Sequence, residues 1–259
     1  MNDRIAYSST ERQNRIFRWI TRQQRITVGE ICQEFGISEA TARRDLDFLA
    51  NHSKIQRVHG GAITLEAAPP EQPILKRQDE QTQAKQRIGQ AGADLVKEGE
   101  TVFLGSGSTV LEVARNLKNS RKLTVLTNSL PVVNLLADHP EFTLVCLGGM
   151  LRYSELSFIG HLAEQALQEL RADKIFIGAR AISLEQGLTN EYLPETMTDR
   201  AILRIGREVV VVADYTKFGR IAPALLAPIE SIHILVTDAQ TSKHYIENLS
   251  LRCLKVIVA

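Results

Sequence analysis

The stretch GISEATARRDL, residues 36–46, decides the fold of the N-terminal part of the chain. Gly36 stands where one short helix would end, because glycine accepts the left-handed backbone that follows a helix. Ser38 stands where the next helix would begin, as a hydroxyl that caps free amides. The stretch therefore predicts two helices joined by a tight turn, with the adjacent Arg43 and Arg44 near the start of the second.

Apolar residues on both sides of this stretch recur every three or four positions and predict three short helices within residues 11–50. Their inward faces carry Ile16, Trp19, Ile20, Val28, Ile31, Cys32, Phe35, Ala42, Leu46 and Leu49. KIQRVHGGAITL, residues 54–65, has strand-like residues around a glycine pair and predicts a β-hairpin. Three helices with a tight turn before the third are typical of a helix-turn-helix, which the hairpin would complete as a wing.

In that geometry the third helix presents side chains to the major groove of DNA. Arginine binds guanine or phosphate with two hydrogen bonds, which makes the arginine pair a candidate DNA contact. Residues 1–60 hold ten Arg and Lys against seven Asp and Glu, a mild positive excess. A solvated arginine pair on an ordinary helical unit is the alternative. The candidate DNA-binding residues are Ser38, Thr41, Arg43, Arg44, Lys54, Arg57 and His59.

The composition is that of a globular protein: 259 residues, 44% hydrophobic, 24% charged, with a net charge of +1. Three cysteines (Cys32, Cys146, Cys253) lie far apart among apolar neighbours, which predicts buried thiols in a reducing compartment. No apolar run approaches the roughly 20 residues of a membrane span, so we expect a cytoplasmic protein without a membrane partner. The six histidines show no ligand spacing, so we expect no metal and no cofactor.

The rest of the chain reads as a linker followed by an α/β domain. Residues 66–87 contain three prolines and many polar residues, typical of a linker that passes into a connecting helix near Thr82. From residue 88 onward, apolar β-branched runs (TVFLG, LTVLT, FTLVCL, KIFIGA, VVVVAD, HILVTD, LKVIVA) mostly alternate with helical stretches. That alternation predicts a mainly parallel sheet flanked by helices. The predicted fold class is thus α/β, with a small N-terminal domain (1–65), a linker (66–87) and a larger domain (88–259).

The loop LGSGST, residues 104–109, follows one of these strands and opens a helix. Glycines allow close backbone approach, hydroxyls donate, and a helix N-terminus offers free amides, so Ser106, Gly107, Ser108 and Thr109 form a candidate anion site. The loop is not a dinucleotide fingerprint, because Val110 stands where a third glycine is needed, and the chain has no Gly-Lys of a phosphate-binding P-loop. An ordinary tight turn is the alternative.

Three other strands end in polar or glycine residues that would gather at the same sheet edge. They are Thr127, Asn128 and Ser129 in LTNS, Gly148 and Gly149 in LGGM, and Lys217 in ADYTKF. These residues would add hydroxyls, free amides and one cation to the candidate anion site.

Both halves of the chain carry a family resemblance. The N-terminal fifty or so residues, above all the serine, threonine and double arginine before Asp45-Leu46 and the RVHGGA of the wing, resemble the winged helix-turn-helix of DeoR-family bacterial transcription regulators. About residues 75–255 resemble the DeoR-type sensor domain, which is similar to ribose-5-phosphate isomerase. The resemblance implies a repressor of a carbohydrate operon, controlled by a phosphorylated sugar.

The resemblance also implies roles for the candidate residues. Ser106 to Thr109 would hold the phosphate, Thr127 to Ser129 would line the sugar side, and Gly148 and Gly149 would leave room. Lys217 would complete the phosphate cage or contact a sugar oxygen. The chain departs from the family at Ala42, where isoleucine is usual, and at Gly105, where aspartate is common. It departs again at Arg180, where the family usually has a small or acidic residue. An arginine there would either add a second anion contact or simply project from the loop.

An isomerase with an attached DNA-binding domain is the alternative function. It needs a general base and an acid–base pair, yet the loop after KIFIG reads Gly178-Ala179-Arg180-Ala181 without a carboxylate. Glu191 and Glu195 are possible pocket carboxylates, although solvation at a loop or helix start is the favoured interpretation. We therefore expect no catalytic residues and no enzyme.

Further alternatives stay open: a hydrolase, an architectural DNA-binding protein without an effector, and an activator instead of a repressor. The expected partners are double-stranded operator DNA, a small phosphorylated sugar and further copies of the chain. A dimer or tetramer is expected because paired half-sites fix the register of such proteins on DNA.

Overall fold

A computed structural model describes residues 7–23, 25–51, 55–58, 60–63, 66–117, 122–252 and 254–259. Within it the chain divides into two compact units, Met1–Glu66 and Ala67–Ala259. Lys54 and His59, two of the candidate DNA-binding residues, lie outside the described residues, as does Cys253.

The first unit contains the three predicted helices and the predicted hairpin. In chain order its elements are α1 (Ser9–Gln23), β1 (Arg25–Thr27), α2 (Val28–Phe35), α3 (Glu39–Asn51), β2 (Gln56–Val58) and β3 (Gly61–Ile63). The strands form an antiparallel sheet in the order β1-β3-β2. The core beneath them is built from Ile16, Ile20, Ile26, Val28, Ile31, Ala42, Leu46, Leu49, Ile55 and Ala62.

The turn between α2 and α3 forms as its residues predict. Gly36 has φ +62°, in the left-handed region. The Ser38 hydroxyl accepts a hydrogen bond from the amide of Thr41 at 3.3 Å, which caps α3. At the start of α2, Thr27 and Glu30 cap each other's backbone amides in a capping box. Local chemistry thus fixes the start of both helices.

The second unit is built on a parallel sheet whose described strands run in the order β17-β16-β13-β10-β5-β6-β7. These strands are the seven apolar runs of the sequence, so the predicted fold class is confirmed. The remaining small sheets, β14-β4, β8-β9 and the antiparallel β11-β12-β15, were not predicted. The strands are β4 (Glu66–Ala67), β5 (Thr101–Leu104), β6 (Thr124–Thr127), β7 (Thr143–Cys146), β8 (Met150–Arg152), β9 (Ser157–Ile159), β10 (Ala172–Ile177), β11 (Ala181–Ser183), β12 (Gly187–Asn190), β13 (Gly206–Val212), β14 (Arg220–Ile221), β15 (Ala224–Ala227), β16 (Ile234–Thr237) and β17 (Lys255–Val258).

Helices cover both faces of the parallel sheet, and two buried clusters fill the layers between them. One cluster includes Phe103, Ile175 and Val211, and the other includes Val102, Phe176 and Val210, so neighbouring strand residues face opposite layers. The helices are α4 (Ile74–Arg77), α5 (Thr82–Ala93), α6 (Ser108–Leu117), α7 (Leu130–Leu136), α8 (His161–Gln168), α9 (Leu193–Ile205) and α10 (Lys243–Leu251), with 3-10 turns at Tyr215–Lys217 and Ile229–Ser231. None of the helices described is long and apolar enough to cross a membrane.

Residues 67–80, which we name the strap, lie within the second unit although their composition predicts a linker. The amide of Ala68 donates to the carbonyl of Ile221 at 2.8 Å, and that of Ile74 donates to Ser154 at 2.7 Å. The Ile74 side chain is fully buried. The strap is therefore packed against the larger unit, with hydrogen bonds that its proline-rich composition does not reveal.

One prediction about cysteine is wrong. Cys146, at the end of β7, is exposed instead of buried. Strand β7 is the edge strand of the parallel sheet, and its burial is incomplete along its whole length. The apolar neighbours of Cys146 in the sequence thus predicted a burial that the edge strand does not provide.

Candidate functional site

Helix α3 presents its two arginines to solvent. Arg43 and Arg44 are both exposed, whereas Ala42 and Leu46 on the opposite side are fully buried. The Arg43 guanidinium lies 2.9 Å from the carboxylate of Glu39, one turn earlier. Arg44 takes part in none of the ion pairs or side-chain hydrogen bonds of the described residues. It is thus an exposed cation available to a ligand.

The residue that follows the arginine pair has a structural role. Asp45 is buried, and both of its oxygens bind Arg12 of α1, at 2.6 and 3.1 Å. Gln13 donates a further hydrogen bond to Asp45 at 2.9 Å. This bidentate pair raises the pKa of Arg12 and fastens α3 to α1.

The wing is fastened to the same helix. Arg57, in β2, pairs with Asp47 at 3.0 Å and donates to the carbonyl of Gly61 at 3.3 Å. Arg57 is a candidate DNA contact, but these bonds also give it a positioning role. Thr41, another candidate, is half-buried, and its hydroxyl lies 2.9 Å from that of Ser38.

A cleft opens in the second unit where β5, β10 and β13 end. The carboxyl ends of parallel strands are where open α/β sheets bind ligands. Polar and charged residues dominate its walls. The lining residues are Glu71, Arg77, Lys85, Ser106, Gly107, Ser108, Thr109, Glu155, Gly178, Ala179, Arg180, Asn190, Glu195, Asp199, Val212, Ala213 and Lys217.

One side of the cleft suits an anion. Residues 106–109 lie where α6 begins, and the side chains of Ser108 and Thr109 are buried there. In the described part of the chain, neither hydroxyl forms a hydrogen bond within the protein. The first amides of a helix also lack intrahelical acceptors and carry partial positive charge. The loop therefore offers several unused donors to a ligand in the cleft.

Two lysines, Lys85 of α5 and Lys217 of the 3-10 turn, line the same cleft. Burial lowers the pKa of both, and the nearby carboxylate of Asp214 opposes that effect. Lys85 donates to the backbone carbonyl of Arg77, whereas Lys217 forms no ion pair with any described residue. The positive charge of Lys217 also lowers the pKa of Lys85, and those of Arg180 and Arg77 lower the pKa of Lys217, so an anion would stabilise the charged lysines.

Arg180 adds a third cation and is nine-tenths buried. Its terminal nitrogen donates to the carbonyl of Pro69 in the strap. Its Nε has no hydrogen-bond partner, because the nearest carboxylate oxygen, of Glu191, is 3.8 Å away. A buried guanidinium N–H without an acceptor is costly, so Arg180 has an unused donor for an anionic ligand.

The cleft lining also holds a group of carboxylates, which we name its acidic side. Glu155 pairs with Arg77 of the strap, and Arg152 bridges Glu195 and Glu71, the latter at 2.6 Å. Glu195 is buried and also accepts a hydrogen bond from Ser157 at 3.0 Å. The interpretation of Glu195 as a solvated residue at a helix start is therefore wrong.

Asp199, one turn further along α9, differs from these carboxylates. Its Oδ2 accepts a hydrogen bond from Asn190 at 2.9 Å, and it forms no ion pair with a described cation. Burial, together with the negative charge of Glu155, raises the pKa of Asp199 to about 7. Burial likewise raises the pKa of Glu155, against the opposing effect of Arg77. The acidic side thus contains a carboxyl group that titrates near neutral pH.

Five of the candidate effector-binding residues are not among the cleft-lining residues. Thr127 donates to the carbonyl of Leu104 at 2.6 Å and accepts from the amide of Ser129, and all three residues of 127–129 are buried. Asn128 donates to the carbonyl of Phe158 at 3.1 Å. These bonds join β6 to β5 and β9.

The glycine pair of LGGM likewise lies outside the cleft lining. Gly149 has φ +147°, and a Cβ there would lie 2.7 Å from the carbonyl of Ile159. Gly149 therefore leaves room for the backbone of β9. Gly148, beside it, has no atom within 4 Å of a Cβ position, so the structure gives it no comparable packing role.

Sequence reasoning missed several lining residues, namely Glu71, Arg77, Lys85, Glu155, Asn190 and Asp199. Glu71 and Arg77 come from the strap, and Glu155 comes from the turn between β8 and β9. No pattern of residues in the sequence predicts these contacts, because they depend on how the strap and the β8-β9 hairpin fold back onto the sheet edge. In the described part of the chain, no group of three or more His, Cys, Asp or Glu side chains could hold a metal ion.

Comparisons with known proteins agree with both halves of this description. The DeoR-like helix-turn-helix domain matches residues 12–68, and the DeoR C terminal sensor domain matches residues 80–239. The chain belongs to the DeoR family. It is a DNA-binding transcriptional regulator with a sensor domain, as the resemblance implies.

Two relatives illustrate the similarity. The transcriptional repressor AccR of Agrobacterium fabrum is 33% identical over 238 residues, covering 92% of this chain and 92% of that protein. The glycerol-3-phosphate regulon repressor of Escherichia coli is 33% identical over 230 residues, covering 89% and 91%. Ribose 5-phosphate isomerase A of Methanocaldococcus jannaschii is a more distant structural neighbour, 22% identical with a TM-score of 0.38 over 52% of this chain and 53% of that one.

Proposed function

We propose that this DeoR-family regulator is a repressor of a carbohydrate operon whose binding to operator DNA is controlled by a phosphorylated sugar in the cleft. Residues 1–65 bind DNA, residues 88–259 bind the effector, and the strap within residues 66–87 connects them. The protein acts in the cytoplasm as a dimer or tetramer, because a single recognition helix reads too few bases for a specific site. The relatives support this function, since one is named as a regulator of glycerol-3-phosphate genes.

The observation that carries the effector half of the proposal is the set of unused donors around the start of α6. The buried Nε of Arg180 lacks an acceptor, Lys217 lacks a carboxylate partner in the described chain, and the helix N-terminus adds free amides. A phosphate group carries up to two negative charges and three acceptor oxygens. It would satisfy all of these groups together.

The strap supplies the connection between effector and DNA. Its polar contacts lie at the cleft: Pro69 accepts from Arg180, Arg77 pairs with Glu155, and Glu71, itself a lining residue, pairs with Arg152. A phosphate that binds the free Nε of Arg180 would contact the same guanidinium that holds the carbonyl of Pro69. The strap continues directly into the DNA-binding unit. A change in its contacts with the cleft residues would therefore be transmitted to that unit along the backbone.

The experiment that tests the proposal is a thermal-shift panel of sugar phosphates beside the matching unphosphorylated sugars. A ligand at about a hundred times its dissociation constant adds roughly 2.7 kcal/mol of stability. We expect stabilisation by particular phosphorylated sugars only, and the same compounds should release the protein from operator DNA. Stabilisation by neither set would contradict the proposed effector class.

The isomerase alternative has one observation in its favour. The expectation of no enzyme rested on the absence of carboxylates from one loop, yet Glu155, Glu195 and Asp199 line the cleft. Glu155 and Glu195 are paired with arginines, which leaves Asp199 as the candidate base. We expect no interconversion of ribose 5-phosphate and ribulose 5-phosphate. Turnover that is lost on Asp199→Asn would show an enzyme instead.

A further inference from the structure

The four carboxylates of the cleft are not equally balanced by positive charge. Arg77 and Arg152 are the cations paired with Glu155, Glu71 and Glu195. Asp199 is the cleft carboxylate that pairs with no described cation, and its Oδ1 accepts no described hydrogen bond.

The cleft lining therefore carries groups of both charges. Four carboxylates and the two guanidinium groups paired with them form the acidic side, and Lys85, Lys217 and Arg180 form the basic side. Asn190 connects the two sides, because it accepts from the amide of Arg180 at 3.4 Å and donates to Asp199 at 2.9 Å. An independent sign of a ligand lies on the basic side: the unpartnered, buried Nε of Arg180. A ligand whose anionic end satisfies Arg180 would extend within the same cleft toward Asp199.

We propose that Asp199 determines effector specificity by binding a protonated amine, so that the effector class is a phosphorylated amino sugar. This inference rests on the proposed function, because it takes the phosphate to occupy the basic side. An ammonium group donates to the free oxygen of Asp199 and also balances its charge. A hydroxyl donates but leaves the negative charge of this half-buried carboxylate without a compensating cation.

The charged and polar groups around Asp199 come from several elements: Glu71 on the strap, Arg152 at the end of β8, Glu155 after it, Asn190 at the end of β12, and Glu195 on α9 itself. Because the pKa of Asp199 is about 7, the ionised fraction of its carboxylate rises as the pH increases through neutrality. An ammonium binds the ionised form. Preference for the amine should therefore rise as the pH increases from 6 to 7.5.

The test is isothermal titration of the full-length chain at pH 7 with inorganic phosphate, glucose 6-phosphate and glucosamine 6-phosphate. The two sugars differ only by a hydroxyl and an amine. We expect wild type to prefer the amine by about tenfold, the scale of one hydrogen bond to a charged group. Asp199→Asn, which keeps an acceptor for Asn190, should lose the preference while binding inorganic phosphate as wild type does.

Glu169→Gln is the matched control, since Glu169 is exposed at the end of α8 and does not line the cleft. It should keep the amine preference and its rise with pH. Equal affinity of wild type for both sugars, or a preference that survives in Asp199→Asn, overturns the assignment of Asp199. Failure of wild type to bind even inorganic phosphate overturns the proposed function, and this inference with it.

Discussion

Adjacent residues of the RRDL stretch have different roles, which follow from how deeply each side chain is buried. Arg44 is exposed and free of described partners, whereas Asp45 is buried and bound twice by Arg12. The α-helical period explains the difference, because a step of one residue turns the side chain by about 100°. Arg44 therefore points to solvent and Asp45 to the core.

For Arg44, we expect replacement by alanine to weaken operator binding by about 1–3 kcal/mol, the scale of one arginine contact to a base or phosphate. Fluorescence anisotropy with operator DNA at fixed salt measures the change. Arg171→Ala is the control, because Arg171 is also exposed but lies in the second unit. Unchanged affinity in Arg44→Ala would remove Arg44 from the interface.

For Asp45, we expect Asp45→Ala to destabilise the first unit by about 1–3 kcal/mol, because it leaves Arg12 and Gln13 without their acceptor. Urea unfolding followed by tryptophan fluorescence reports on this unit, since Trp19 is the single tryptophan of the chain. Glu39→Ala breaks the exposed pair with Arg43 and should cost less than about 0.5 kcal/mol. Equal losses in the two variants would show that Asp45 does not fasten α3 to α1.

At the scale of elements, regular structure was predictable and irregular structure was not. All seven parallel strands appear as apolar runs. The five inner strands need apolar residues because both of their faces are covered, whereas the edge strands β7 and β17 are apolar but only partly buried. The β8-β9 hairpin and the β11-β12-β15 sheet were missed, since their short strands carry no comparable pattern. The lining of the cleft was predicted only in part. The sequence indicated the loop at the start of α6, but Glu155 and the strap residues reach the cleft only through tertiary folding.

Helix α6 gives the element-scale prediction. Thr109 is buried at its first turn, and its hydroxyl has no described hydrogen-bond partner. Thr109→Val removes one donor without changing the volume much, so the effector should no longer release the protein from operator DNA. DNA affinity without effector should stay near that of wild type. Loss of DNA binding as well would mean that the loop has a structural role and does not bind the effector.

At the scale of the whole molecule, regulation requires that effector binding in the cleft changes the free energy of DNA binding by the first unit. The strap is suited to this task because two of its residues contact cleft-lining residues. Pro69 lies against Arg180 on the basic side, and Arg77 lies against Glu155 on the acidic side. An effector in the cleft would lie beside both contacts. It would either break one of them or form further bonds to the residues that make them.

Glu155→Gln tests this coupling away from the phosphate side. It leaves the buried Arg77 without its carboxylate, which weakens the anchoring of the strap as the effector is proposed to do at Arg180. We expect the variant to bind operator DNA more weakly without effector and to respond less when effector is added. Glu230→Gln removes a comparable but exposed pair with Arg252 in the same unit and should leave both quantities unchanged. If Glu155→Gln keeps wild-type DNA affinity and the full response, the strap does not carry the signal, and the coupling must run through contacts that the strap does not make.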